Sequence, residues 1–299
     1  MGPVVRQYQG LLFGLAAALL IIGHGMAGWA VLPAPRRSAM TSTFRPDFGL
    51  TAQDYGRHRA GFPPQIVTHL YRHGIAFPGK DVLDIGTGTG ALARLFARAG
   101  ARVTGLDPAA PLLEQARVLD REVGVEIEYR VGTAEATGLP DGAYDVVAAG
   151  QCWHWFDAPK AAAEVRRLLR PGGRAVIAHF DWLPLPGNVV EATEELILSF
   201  NPAWTMGGGT GLYPRWLTDL ATAGFTGIET FSFDLAVPYP PEAWRGRIRA
   251  SAGVGASLAP DDVERFDDAL GGVLRDRFPG EVIDVPHRIW AVVATRGDG

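Results

Sequence analysis

Cysteine is the scarcest residue of this 299-residue chain: Cys152 stands alone. One thiol excludes an internal disulfide and every zinc site built on thiolate pairs, and it suits a reducing compartment. Lysine is nearly as rare, Lys80 and Lys160 being the two, so basic charge is almost all arginine. Positive charge is also short overall. The formal net charge is −4, and residues 1–40 hold Arg6, Arg36 and Arg37 without an acid, which leaves the rest more negative still. Such a body binds polyanions poorly, which argues against nucleic acid as a partner. No internal repeat, low-complexity tract, Ser/His/Asp set or metal-ligand cluster stands out, so no metal is expected. What remains is ordinary globular composition, 47% hydrophobic and 20% charged. One α/β domain with an insertion can absorb that length.

The most informative stretch is Val82-Leu83-Asp84-Ile85-Gly86-Thr87-Gly88-Thr89-Gly90, running at once into Ala91-Leu92-Ala93-Arg94-Leu95-Phe96-Ala97. A β-branched run stops near an acid, three glycines alternate with threonines, and a helical pattern begins. The spacing predicts a strand, a tight turn and a helix N-terminus. Glycines there allow positive φ and let a ligand lie against backbone N–H groups, which with the helix dipole favour a carboxylate or phosphate. Asp84 closes the strand, placed to hold a ligand ammonium or to brace the loop. Asp107 closes the second strand about twenty residues on, the spacing at which a carboxylate meets a ribose diol in dinucleotide-binding units. Gly86, Gly88 and Ala91 also satisfy G-x-G-x-x-G/A, so two cofactor classes fit these residues.

The string Asp84-Ile85-Gly86-Thr87-Gly88-Thr89-Gly90 resembles the first motif of the class I S-adenosylmethionine-dependent methyltransferases, in their small-molecule branch. The resemblance implies that the glycine turn meets the methionine end of the cofactor and that Asp107 holds the ribose hydroxyls. It carries cofactor contact to Asp84, Gly86, Thr87, Gly88, Gly90, Asp107 and Pro108. It extends the same role to Thr133, Ala134 and Glu135 after the third strand, with Thr133 standing where relatives often have an adenine-binding Asp, and to Gln151 and Trp153 after the fourth. Tyr55-Gly-Arg-His-Arg59-Ala-Gly-Phe62-Pro63 resembles the segment that folds over the cofactor mouth in the same branch; an arm packed on the sheet edge is the plainer alternative.

From Lys80 onward the chain alternates. Strands are expected at 80–86, 102–106, 125–131, 144–149 and 173–180, with helices at 90–99, 109–122 and 158–169. Proline and glycine in Arg170-Pro171-Gly172-Gly173 stop the last of these. Pro63-Pro64 opens an earlier helix with Ile66, Val67, Leu70 and Tyr71 on one face and Gly74 at its end. Alternating strands and helices predict a doubly wound, Rossmann-like α/β sheet with ligands at the C-terminal strand ends. The family resemblance makes it seven-stranded and mostly parallel, with an antiparallel last strand, Arg288–Thr295. A helical cap is expected over 183–214, with Trp204 and Tyr213 as lining, and helices over 239–253 and 260–277 extend it; a packed peripheral helix is the alternative.

Trp153-His154-Trp155-Phe156-Asp157 is dense in aromatics for a strand–helix loop. Its rings could line a water-poor pocket, and His154 could take an acceptor's proton. Asp157 also reads as a helix cap. His179 reads as a core histidine; Asp181 and Trp182, further out, are placed to meet substrate. His154 and Asp181 are therefore the candidate catalytic residues.

The expected activity is methyl transfer from S-adenosylmethionine to a small-molecule acceptor. Two alternatives stay open. A nicotinamide-dependent oxidoreductase could use the same turn and Asp107, although no Tyr-x-x-x-Lys pair follows the sheet, and a non-methylating protein could bind S-adenosylmethionine. The apolar run Gly10–Leu32 allows three readings: a cleaved signal, a membrane anchor that keeps the body cytoplasmic through Arg36 and Arg37, or a start at Met40. Each domain plan therefore has residues 1–40 apart from a body at 41–299.

Overall fold

The computed structural model describes residues 61–297. The anchor reading of 10–32 and the segment 44–60 lie outside them. Among the described residues no helix is long and apolar enough to cross a membrane.

The elements follow the predicted alternation: α1 (Gln65–Arg72), β1 (Asp81–Ile85), α2 (Ala91–Arg98), β2 (Arg102–Asp107), α3 (Ala110–Val123), β3 (Glu128–Val131), β4 (Tyr144–Gly150), α4 (Ala158–Leu168), β5 (Leu169–Trp182), α5 (Val189–Phe200), α6 (Arg215–Thr222), β6 (Phe225–Tyr239), α7 (Pro241–Arg249), α8 (Pro260–Arg277) and β7 (Ile283–Arg296). The sheet has seven strands in the order β3-β2-β1-β4-β5-β7-β6. All pairings from β3 to β5 are parallel, and β7 runs antiparallel between β5 and β6.

Period-two alternation sends each strand's side chains to two separate cores. Leu83, Ile85, Val147 and Ala149 pack with Val165 of α4 and Trp216 and Leu220 of α6. Val82, Val146 and Ala148 pack on the opposite face with Ile66 and Leu70 of α1 and Leu92 and Phe96 of α2. A third core joins Val190 and Ile197 of α5, Trp244 and Ile248 of α7, and Phe266, Leu270 and Leu274 of α8 to Ile283 and Val285 of β7.

Local chemistry explains several boundaries. Asp157 caps α4 by accepting from the Lys160 amide, and Asn188 caps α5 by accepting from the Glu191 amide. Four details differ from the sequence expectation. Tyr71 is 43% exposed and sits outside the apolar face of α1. Strand β3 is three residues shorter at its start than expected. Arg170–Gly173 bulges out of β5 instead of preceding it: Tyr144 pairs with Leu169, yet Val146 pairs with Arg174. Strand β7 begins at Ile283, five residues before the expected Arg288, and stays paired with β6 out to Tyr239. This extension carries the sheet's edge to α7 and α8.

Candidate functional site

Strand order reverses between β1 and β4, and the loops after β1, β2, β4 and β5 all leave from the same end of the sheet. That is the switch point at which open α/β sheets hold ligands.

The turn after β1 is tied down from both sides. The Thr87 amide donates to the Leu106 carbonyl at 3.0 Å, and the Thr87 hydroxyl donates to Asp84 Oδ2 at 2.7 Å. The Gly88 amide donates to Asp107 Oδ2 at 2.9 Å, while Asp107 Oδ1 accepts from the Ala109 amide at 2.8 Å. The turn glycines do different work. Gly86 has φ +65°, and a Cβ on it would stand 2.7 Å from Cys152 Sγ, so it exists for packing. Gly88 has φ +56° and nothing within 4 Å of where its Cβ would be, so this is the face a ligand can approach. Gly90 is the left-handed N-cap of α2, crowded by Tyr129 and Arg94. Arg94 braces the turn by donating to the Thr89 carbonyl at 2.6 Å and to Asp120 at 3.0 Å. Sequence reading missed this arginine; its place one turn into α2 was the available signal.

Two carboxylates end these strands. Asp84 is 1% exposed, and its Oδ1 is buried without a partner. Burial pushes its pKa up to about 7, aided by the nearby Asp107 charge and opposed by the Thr87 hydroxyl. Burial also raises Asp107, against the two amides that favour its charged form.

After β4, Gln151 adopts a left-handed φ of +59°, its amide donating to the Ala178 carbonyl at 2.8 Å and its side chain to the Phe180 carbonyl. This non-glycine turn clamps β4 to β5. Cys152 is buried under the glycine turn, its thiol 3.2 Å from the Ile85 carbonyl. Trp153 belongs to the core: it is 2% exposed, and its Nε1 donates to Asp219 of α6 at 3.0 Å. A one-turn 3₁₀ helix at Trp153–Trp155 rotates the Trp153 indole inward and leaves His154 exposed. Pro108 and Thr133 are exposed, and Ala134 is buried. Glu135 accepts from the Asp157 amide at 3.0 Å, so it helps to start α4.

Beyond β5 the structure gathers what the sequence scattered. His179, 6% exposed, places Nδ1 2.8 Å from Asp181 Oδ1. The hydroxyl of Tyr213 donates to Asp181 Oδ2. The His154 ring lies 5.3 Å from that of His179, which in turn lies 4.5 Å from the Tyr213 ring. Burial pushes the Asp181 carboxyl up, yet His179, Tyr213 and the more distant His154 hold it below the ordinary value. Tyr213 is pushed well above the phenol range by burial and by the Asp181 charge. The two candidate catalytic residues, His154 and Asp181, thus belong to one cluster through His179, a residue read from sequence as core.

Comparison with known proteins bears on this geometry. Residues 83–177, from the middle of β1 to the middle of β5, match the family model described as a methyltransferase domain. Over that stretch, about a third of its length, the chain is similar to a methyltransferase domain. An uncharacterized methyltransferase of Mycobacterium tuberculosis is 37% identical over 128 residues, which is 42% of this chain and 49% of that protein. The chain thus spans about half the length of the curated relatives it matches. Among solved structures, the YcgJ protein of Bacillus subtilis aligns with a TM-score of 0.52 at 20% identity, over 79% of this chain and 99% of that one. Phosphoethanolamine N-methyltransferase 2 of Haemonchus contortus, solved with S-adenosyl-L-methionine, gives a TM-score of 0.51 at 19% identity, over 84% of this chain and 57% of that one. At such identities the likeness shows a shared fold alone.

Proposed function

We propose that the chain transfers a methyl group from S-adenosylmethionine to a small-molecule acceptor, with the catalytic body in the cytoplasm where the cofactor is made. One observation carries this reading. Beside the open face of Gly88 stand a buried carboxylate with an unpartnered oxygen, Asp84, and a second carboxylate, Asp107, at the next strand end. An ammonium and a ribose diol on one ligand suit that pair.

Bound there, the cofactor supplies a sulfonium methyl whose leaving group is already activated. The chain's part is therefore alignment and exclusion of water. Asp84 holds the ammonium, and Thr87 orients Asp84. Gly86 and Gly90 fix the turn so that the Gly88 backbone faces the ligand. Asp107 accepts from the ribose hydroxyls while keeping the Gly88 amide in place. Pro108, Thr133, Ala134 and Glu135 border the adenine side, and Gln151 fixes the floor between β4 and β5. On the acceptor side, His154 and Asp181 take up the acceptor's proton, with Tyr213 and His179 orienting Asp181. The helices over 183–214 and 239–278 act as a cap that closes this side.

Calorimetric titration with S-adenosylmethionine, S-adenosylhomocysteine and NADH tests the cofactor class. Both nucleosides should bind and NADH should not; NADH binding alone would overturn the reading. Asp107→Ala should weaken S-adenosylmethionine binding by about 1–3 kcal/mol through lost charge-assisted hydrogen bonds. Transfer of labelled methyl to a metabolite panel then separates catalysis from binding alone.

A further inference from the structure

Helix α7 carries three arginines at alternate positions, and two of them have ordinary partners. Arg245 and Arg249 both reach Asp267 of α8 and Glu242 of their own helix, Arg245 to Glu242 at 2.9 Å and Arg249 to Asp267 at 2.7 Å. Arg247 points elsewhere. Its guanidinium carbon lies 4.8 Å above the ring of Trp182, at the C-terminal end of β5. Among the described residues no carboxylate stands at ion-pair distance from it; Asp181 and Tyr239 act on it only through the field. Its other neighbour, His287, is kept neutral at ordinary pH, because burial and the Arg247 charge itself lower its pKa to about 4. An inward-facing arginine without a counter-charge is expensive to keep.

The platform beneath it is fixed. The Trp182 indole donates to Glu194 Oε1 of α5 at 2.8 Å and packs edge-on against Trp244, with ring centroids 5.5 Å apart. Glu194 in turn accepts from the Gly208 amide at 2.7 Å, so the glycine run after α5 is tied to the same wall. Stacking occupies only the face of a guanidinium. Its five N–H donors lie in the plane, so a stacked arginine keeps its edge for a bidentate partner. Trp182 points to the face of β5 opposite Asp181, but at the same strand end, and the Asp181 charge reaches both Arg247 and Glu194, so this edge lies within the field of the acceptor cluster.

We propose that Arg247 is the anchor for a carboxylate on the methyl acceptor, so that the substrates of this chain are small organic acids held by an Arg247–carboxylate fork over Trp182. The proposal rests on the acceptor side of the function proposed above. One positive charge balances one carboxylate. A phosphate dianion would bring a second charge next to Asp181 and Glu194 with nothing to balance it, so a carboxylate is favoured.

The test uses the full chain loaded with S-adenosylhomocysteine, whose own titration reports separately on the cofactor reading. Monocarboxylic acids, the amides of the same skeletons, and the corresponding phosphate monoesters are titrated by calorimetry. At least one acid should bind while its amide and its phosphate do not. Arg247→Gln should weaken that acid about thirtyfold or more, with S-adenosylhomocysteine affinity unchanged. Arg247→Lys, which keeps the charge and loses the fork, should fall between the two. Arg245→Gln, on the outward face of the same helix, should leave acid binding as it was. Failure of every acid to bind overturns the proposal, as does equal binding by Arg247→Gln or preference for an amide or phosphate. Loss of S-adenosylhomocysteine binding in the unsubstituted chain would instead sink the cofactor reading.

Discussion

The two walls of the crevice are built in opposite ways. The wall around the glycine turn takes its parts from one short run of chain: Asp84, Thr87, Gly88 and Asp107 are joined by hydrogen bonds that span at most 19 positions of sequence. The wall beyond β5 draws Asp181, Glu194, Tyr213 and Arg247 from four separate places, and its hydrogen bonds join residues as far apart as Asp181 and Tyr213. The first is a local device that a βαβ unit makes wherever it folds. The second exists only once α5, α6 and α7 have docked. A recurrent cofactor can be met by the first kind of wall, whereas an individual acceptor calls for the second, which can change without disturbing the sheet.

The sharpest way to break this contrast is through the glycines of the local wall. Gly86→Ala should cost about 3 kcal/mol of stability or more, because positive φ strain adds to overpacking against Cys152 and Phe156. Gly88→Ala should cost only about 1 kcal/mol of stability and show its main loss in cofactor affinity. Thermal unfolding and S-adenosylmethionine titration read the two effects, and equal destabilisation by both variants would erase the assigned division between packing and binding.

A smaller effect concerns Asp84. Its folded pKa of about 7 stands above the ordinary 3.8, so the folded chain holds a proton that the unfolded chain releases. The stability this gives is complete below about pH 4 and is lost as pH rises through 7. A bound ammonium favours the ionised form, so cofactor affinity should weaken as pH falls below 7, by up to about tenfold per unit. Asp84→Asn should flatten both profiles. A wild-type affinity independent of pH between 5 and 8 would remove Asp84 from the ammonium site.

The smallest effect probes the distributed wall. Tyr213→Phe deletes one donor to Asp181 and should cost about 1 kcal/mol. Because Asp181 sits below its ordinary pKa, its contribution is present above that ordinary value and is lost as pH falls through the folded pKa. Losing Tyr213 should raise the Asp181 pKa and make the acid loss shallower, measured by unfolding between pH 3 and 6. An unchanged acid limb would mean that the tyrosine does not hold Asp181.

Element order, the strand–turn–helix at Asp84–Ala97 and the cap of Asp157 were legible in sequence, since each follows from periodicity or from groups a few residues apart. What stayed hidden lies where neighbours in space add to the local pattern. Asp219, 66 positions from Trp153, holds its indole in the core, a partner that no local pattern announces. His179 is the buried histidine that its place on the strand suggests, but only the fold shows Tyr213 and His154 beside it. Among the glycines, spacing could not tell Gly86 from Gly88, because the difference lies in what stands opposite each one.

By itself the sequence determined the α/β alternation, the sheet and the place of the glycine turn, because backbone propensity and side-chain period are properties of neighbouring residues. Tertiary structure alone decided which of three arginines on one helix stacks on Trp182 while the other two pair with carboxylates. That choice depends on which carboxylates α8 and β5 bring near, and a long, flexible side chain encodes no partner of its own.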